Sequence, residues 1–124
     1  GSPAPVQACM ILVDSSVWVD HFHRPEPQLI ALLEAGEVLM HSLVIAELAC
    51  GRLASRRTTL GLLHALPKAE EASPAEVLAL VENDRLWGAG LGAVDVHLLA
   101  SVWLSDAAIW TRDKALARAA GRWR

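Results

Sequence analysis

Long apolar runs are missing from this chain. None approaches the roughly 18 consecutive residues of a membrane span, so no membrane role is expected. Cysteine is scarce too. Cys9 and Cys50 are the only two, too few for a disulfide framework and suited to a cytoplasmic protein. No Cys/His spacing matches a zinc site. Of the five histidines only His21 and His23 lie close together, as histidines at an exposed helix end often do. No charged segment followed by a long apolar stretch marks a secretory signal. Broad positive charge is also lacking. A net charge of −3 argues against a protein that coats nucleic acid through a wide basic face, though not against a nuclease. Repeats, low-complexity tracts and linkers are absent.

What is present suffices for one domain with a proper core: 124 residues, 53% hydrophobic and 20% charged. Residues 1–9 are uncharged, contain two prolines and read as an expression leader, with Met10 as the native start and 10–124 as the single domain. The apolar run before Asp14-Ser15-Ser16 predicts a short buried strand over 10–14, leading into a helix capped by a serine. A second helix is expected over 28–35, closed by Gly36, then a strand over 38–40. Ser42 is expected to cap a helix that continues to residue 54, and Pro67 to stop one over 58–66. Ser73-Pro74-Ala75-Glu76 is a capping-box start for a helix reaching Trp87. Gly88, Gly90 and Gly92 then break the chain before a helix over 94–104, a strand over 108–111 and a helix over 114–120. Short apolar strands alternating with helices predict an α/β fold, a three-layer α/β/α sandwich with a mostly parallel central sheet. Any further edge strand would fall close to Trp123.

Four acids stand in or beside the apolar runs: Asp14 after Met10-Ile11-Leu12-Val13, Glu47 within Ser42-Leu43-Val44-Ile45-Ala46-Glu47-Leu48-Ala49, Asp95 within Ala93-Val94-Asp95-Val96-His97-Leu98-Leu99, and Asp113 after Ala108-Ile109-Trp110-Thr111-Arg112. Charges are rarely buried unless paired or bound to a metal. In an open parallel sheet, ligands gather beyond the carboxyl ends of the strands. Asp14 and Asp113 follow such ends, while Glu47 and Asp95 lie a turn or two into helices that begin at the same rim. Each acid alone has a plainer reading. Asp14 and Asp113 suit helix caps, and Asp95 suits a helix dipole. Glu47, flanked at helical spacing by Leu43, Val44 and Leu48, is expected to be buried and to need a partner.

Together the four read as one site. Clustered carboxylates cannot all ionise unless a cation neutralises them. Ligation by oxygen alone selects Mg²⁺ or Mn²⁺ over zinc, and a pair of such ions supports phosphodiester hydrolysis. Ser15 and Thr111 can serve as supporting hydroxyls or as ordinary caps. Because the four acids supply −4, the rest of the chain sums to +1. Arg112, Lys114, Arg118, Arg122 and Arg124 crowd the last thirteen residues, facing either phosphates or solvent.

Ile11-Leu12-Val13-Asp14-Ser15-Ser16-Val17-Trp18, Ala46-Glu47-Leu48, Asp95-Val96-His97-Leu98-Leu99-Ala100 and Trp110-Thr111-Arg112-Asp113, in that order and spacing, resemble the PIN-domain ribonucleases, and among them the VapC toxins of bacterial type II toxin–antitoxin pairs. The resemblance spans essentially 10–123. It implies a Mg²⁺- or Mn²⁺-dependent endoribonuclease that cuts structured RNA such as tRNA or rRNA and so stops translation. It carries the family's acidic quartet onto Asp14, Glu47, Asp95 and Asp113, with Ser15 and Thr111 at its supporting hydroxyl positions. It also implies a homodimer and a small VapB-like antitoxin that covers the acidic pocket.

Two other readings compete. A phosphoacceptor signalling domain also gathers acids at strand ends, but it needs a lysine on the final-strand side, where Lys114 is the only one nearby. A non-catalytic PIN-like interaction or RNA-binding domain would have no physical reason to keep clustered charge.

Overall fold

The apolar run at the start of the chain forms the central strand of the sheet. In the computed structural model, which describes residues 9–121, β1 (Ile11–Val13) lies between β2 (Val38–Leu39) and β3 (Ala108–Trp110), in the order β2-β1-β3. Both pairings are parallel. Ile11 and Leu12 pair with Val38 and Leu39, and Ile11, Leu12 and Val13 pair with Ala108, Ile109 and Trp110. Strands covered on both faces need no polar alternation, and Leu12 and Val13 are accordingly buried together.

Seven helices surround the sheet: α1 (Ser15–His23), α2 (Pro27–Glu34), α3 (Ser42–Ala49), α4 (Arg56–Ala65), α5 (Pro74–Asn83), α6 (Ala93–Leu104) and α7 (Lys114–Gly121). This is the expected α/β/α arrangement. Helix α1 packs on α3, α5 on α6, and both α6 and α7 on β3. Leu29, Met40, Leu98, Leu99 and Leu116 fill the core with no exposed surface. The expected leader apart from Cys9, and the edge at Trp123, lie outside the described residues.

Local chemistry moved several boundaries. Helix α1 is capped by the Asp14 carboxylate, not by a serine: Oδ1 accepts the Ser15 N–H at 2.8 Å. At α3 the expected cap, Ser42, sends its N–H and hydroxyl to Glu71 Oε2 at 3.1 and 2.6 Å. His41 caps instead, its Nδ1 accepting the Leu43 N–H at 3.0 Å. Helix α3 ends at Ala49 rather than near residue 54, because the Arg56 guanidinium donates to the Ala49 and Gly51 carbonyls and so satisfies that end. Helix α5 keeps its capping box but stops at Asn83, short of Trp87, where Arg85 turns to a φ of +54°. Gly36 closes α2 at a φ of +69°, which glycine adopts freely. Of the strand expected over 38–40, Met40 forms only a bridge to Lys68.

Candidate metal-binding active site

Where β1 ends, the chain turns into α1, and Asp14 occupies that turn. Its N–H donates to the Trp110 carbonyl at 2.9 Å, which continues the β1–β3 ladder by one rung. The side chain is only 6% exposed and is heavily hydrogen-bonded. Besides the Ser15 amide, it accepts from Ser16 Oγ at 2.8 Å and from Thr111 Oγ1 at 2.7 Å, both on Oδ2. Thr111 Oγ1 in turn accepts the Asp113 N–H at 3.0 Å. The ends of two neighbouring strands are thus tied together through one carboxylate.

Ser16 supplies a hydroxyl to Asp14 that sequence reading missed. It donates to Asp14 and accepts the Arg112 N–H at 3.0 Å. Ser15, the serine singled out beforehand, lies 3.5 Å from Asp14 Oδ1, a long contact. The pair Ser15-Ser16 was visible in the sequence, but only the turn geometry shows which hydroxyl reaches which acid.

Of the other three acids, two lie in helices and one just before a helix. Glu47 lies in α3 and Asp95 in the first turn of α6, where its Oδ2 accepts the Gly92 N–H at 2.9 Å. Asp113 precedes α7 and its Oδ1 accepts the Leu116 N–H at 2.9 Å. The expectation that all these acids are embedded is corrected: Asp14 alone among them is buried, Asp95 is half-buried, and Glu47 and Asp113 are exposed. Glu47 departs most from its apolar neighbours. Val44 and Leu48 face the core while Glu47 looks out of the helix beside them.

Charge nevertheless couples the four. Partial burial, then the charges of Asp14 and Asp95, push the Glu47 carboxyl above the usual range against the Ser15 hydrogen bond. Asp95 is raised by partial burial, opposed by the Gly92 amide, with Asp113 and Asp14 adding to the rise. Every member of the quartet is therefore linked electrostatically to at least one other.

Such a set suits a hard cation in its chemistry: the donors are all oxygen, and two of them resist ionisation. Asp95 Oδ1 and Asp113 Oδ2 accept no hydrogen bond among the described residues. The carboxylates do not close into a coordination shell, since among the described residues no three His, Cys, Asp or Glu side chains are arranged to hold a metal ion.

Nearby candidates resolve differently. Arg112, from the basic C-terminal segment, pairs with Asp20 at 3.1 Å and Glu26 at 3.3 Å and lies over the Trp110 ring. His21 and His23 do not act together. His21 Nδ1 accepts the Glu26 N–H, and His23 lines a groove beside Glu47. A cavity of about 570 Å³ along β3, α6 and α7 is lined by none of the four acids.

Comparison with known proteins agrees with the fold. The PIN domain model matches residues 11–122. Ribonuclease VapC32 from two strains of Mycobacterium tuberculosis is 49% identical over 108 residues, covering 86% of this chain and 87% of the relative. Among solved structures, FitAcB from Neisseria gonorrhoeae superposes with a TM-score of 0.61 at 21% identity, over 90% of this chain and 94% of that one. PAE2754 from Pyrobaculum aerophilum gives 0.57 at 20% identity, over 87% and 77%. A buried strand-end aspartate, a parallel β2-β1-β3 sheet, a PIN domain match over residues 11–122 and a relative 49% identical over 108 residues lead to one assignment: the chain belongs to the PIN-domain family, as a VapC-like member.

Proposed function

We propose that this chain is a metal-dependent endoribonuclease that acts as a toxin, cleaving structured RNA such as tRNA or rRNA and so inhibiting translation. The observation that carries the reading is the PIN domain match over residues 11–122, together with the setting of Asp14 at the end of β1, Glu47 in α3, Asp95 in the first turn of α6 and Asp113 just before α7. The VapC32 relative is itself named a ribonuclease.

Asp14, Glu47, Asp95 and Asp113 would hold Mg²⁺ or Mn²⁺. When bound, the metal would supply a nucleophilic water near neutral pH and charge stabilisation at the phosphoryl oxygens. The chain's own groups do the rest. Thr111 and Ser16 fix the Asp14 carboxylate in one orientation. Glu47 and Asp95 keep the site acidic enough to attract a cation yet reluctant to ionise without one. Oriented ligands lose little freedom when the ion arrives.

The partners follow from the same reading: an RNA substrate, a VapB-like antitoxin that neutralises the site, and a second copy of the chain as a homodimer. No helix among the described residues is long and apolar enough to cross a membrane. The test is hydrolysis of RNA by the purified chain with Mn²⁺ or Mg²⁺, against Asp95→Asn. Cleavage by the wild type alone supports the proposal, and equal rates overturn it in favour of a non-catalytic interaction domain.

A further inference from the structure

Between α1 and α3 runs a groove of about 410 Å³, within the ~300–1,000 Å³ of small-ligand pockets. Glu47 lines it, so one acid of the quartet borders the groove. Phe22, the only phenylalanine in the chain, lies on one wall and is 40% exposed. From behind it is backed by Trp18, with centroids 5.9 Å apart, and by His21 at 6.0 Å. This makes a firm aromatic platform with an open surface.

Arg52 lines the same groove and is exposed. It forms no ion pair among the described residues, although the chain is acidic overall. Its neighbours are committed: Arg56 caps α3, and Arg112 is held by Asp20 and Glu26. A flat aromatic surface and an uncommitted guanidinium along one groove, with one acid of the quartet beside them, are the parts a single-stranded nucleic acid uses at a cleavage site. Unpaired bases stack on aromatic rings, and arginine meets the phosphates between them.

On the nuclease reading above, we infer that this groove seats an unpaired nucleobase flanking the cleaved phosphodiester, stacked on Phe22, with Arg52 facing an adjacent phosphate. Phe22 is then the residue that sets the nucleotide preference beside the cut. Charge favours this occupant over a purely apolar peptide, because an apolar segment would leave Arg52 unanswered at the groove wall.

The probe is a random-sequence single-stranded RNA library digested by the full chain with Mn²⁺ and sequenced at its new ends, with KM and kcat then measured on one selected sequence. Phe22→Leu keeps the apolar bulk but removes the ring. It should raise KM about tenfold and flatten the preference at one flanking nucleotide, with kcat changed by less than about twofold. Phe22→Trp should restore both. Arg52→Gln should weaken binding evenly across sequences and reduce its salt dependence. A wild type that cuts RNA while Phe22→Leu and Arg52→Gln match it in KM, preference and salt dependence overturns the inference alone, and assigns the groove to another occupant such as a protein partner. A wild type no faster than Asp95→Asn overturns the nuclease reading and this inference with it.

Discussion

At the β1–β3 end of the site, Asp14 is buried and accepts hydrogen bonds from Ser15, Ser16 and Thr111, whereas on α3 Glu47 stands exposed, with the Ser15 hydroxyl and two neighbouring negative charges for company. Two acids that looked alike in sequence therefore do different physical work. Asp14 is held in place by donors that would be stranded without it. Glu47 is held in place by the helix that carries it, against its own electrostatic preference. One half of the cluster contributes to the fold, and the other half is tolerated by it.

The largest test of that difference is Asp14→Ala. It leaves two hydroxyls and a helix-start amide without their acceptor in a buried corner, which should cost ~3 kcal/mol. Thermal or urea unfolding would measure it, and a loss below ~1 kcal/mol would mean that water replaces the carboxylate. RNA cleavage should fall by at least ~100-fold in the same variant, since outer-shell changes alone reach ~10–100-fold. Thr111→Val comes next. It removes one hydroxyl that both donates to Asp14 and accepts from Asp113, for ~1 kcal/mol of stability and ~10–100-fold of activity.

Arg112→Ala should matter less. Its two ion pairs are exposed, so the loss in an unfolding titration is expected within ~1 kcal/mol. Smallest in size, and opposite in sign, are Glu47→Gln and Asp95→Asn. Both should leave the metal-free protein as stable as before or more so, while abolishing cleavage. A clear drop in melting temperature for either would put them in the same class as Asp14.

Acidity sharpens the last point. Glu47 and Asp95 hold their protons to higher pH in the folded chain than in the unfolded one, so the folded state binds more protons across that window. Metal-free stability should therefore fall as pH rises out of the acid range through the folded-state values. Asp95→Asn should flatten the fall, and Mg²⁺ or Mn²⁺ should reverse it near neutrality. Melting curves across pH, with and without metal, would show both.

Element order and the parallel sheet were legible because they rest on local patterns: apolar runs, capping residues and glycine breaks. The capping box at Ser73 and Glu76 formed as written. Less legible was anything decided by a distant partner. Glu71 drew Ser42 away from its capping role, and Arg56 ended α3 early, both through side chains far along the chain or beyond the helix. Glu47 misled for a related reason. Apolar neighbours at helical spacing show that a helix has a buried face, but only packing against α1 decides where that face ends. Ser16 escaped notice because two adjacent serines are equivalent until the turn after Val13 aims one of them.

The hydrogen bond from Thr111 to Asp14 joins residues 97 positions apart. Most helices of this chain can form as they leave the ribosome, since domains are synthesised and begin to fold from the N-terminus. The corner that orients Asp14 cannot, because it waits for β3 and Thr111, made long after Asp14 itself. A half-made chain therefore carries Asp14 and Glu47 but not the geometry that unites them.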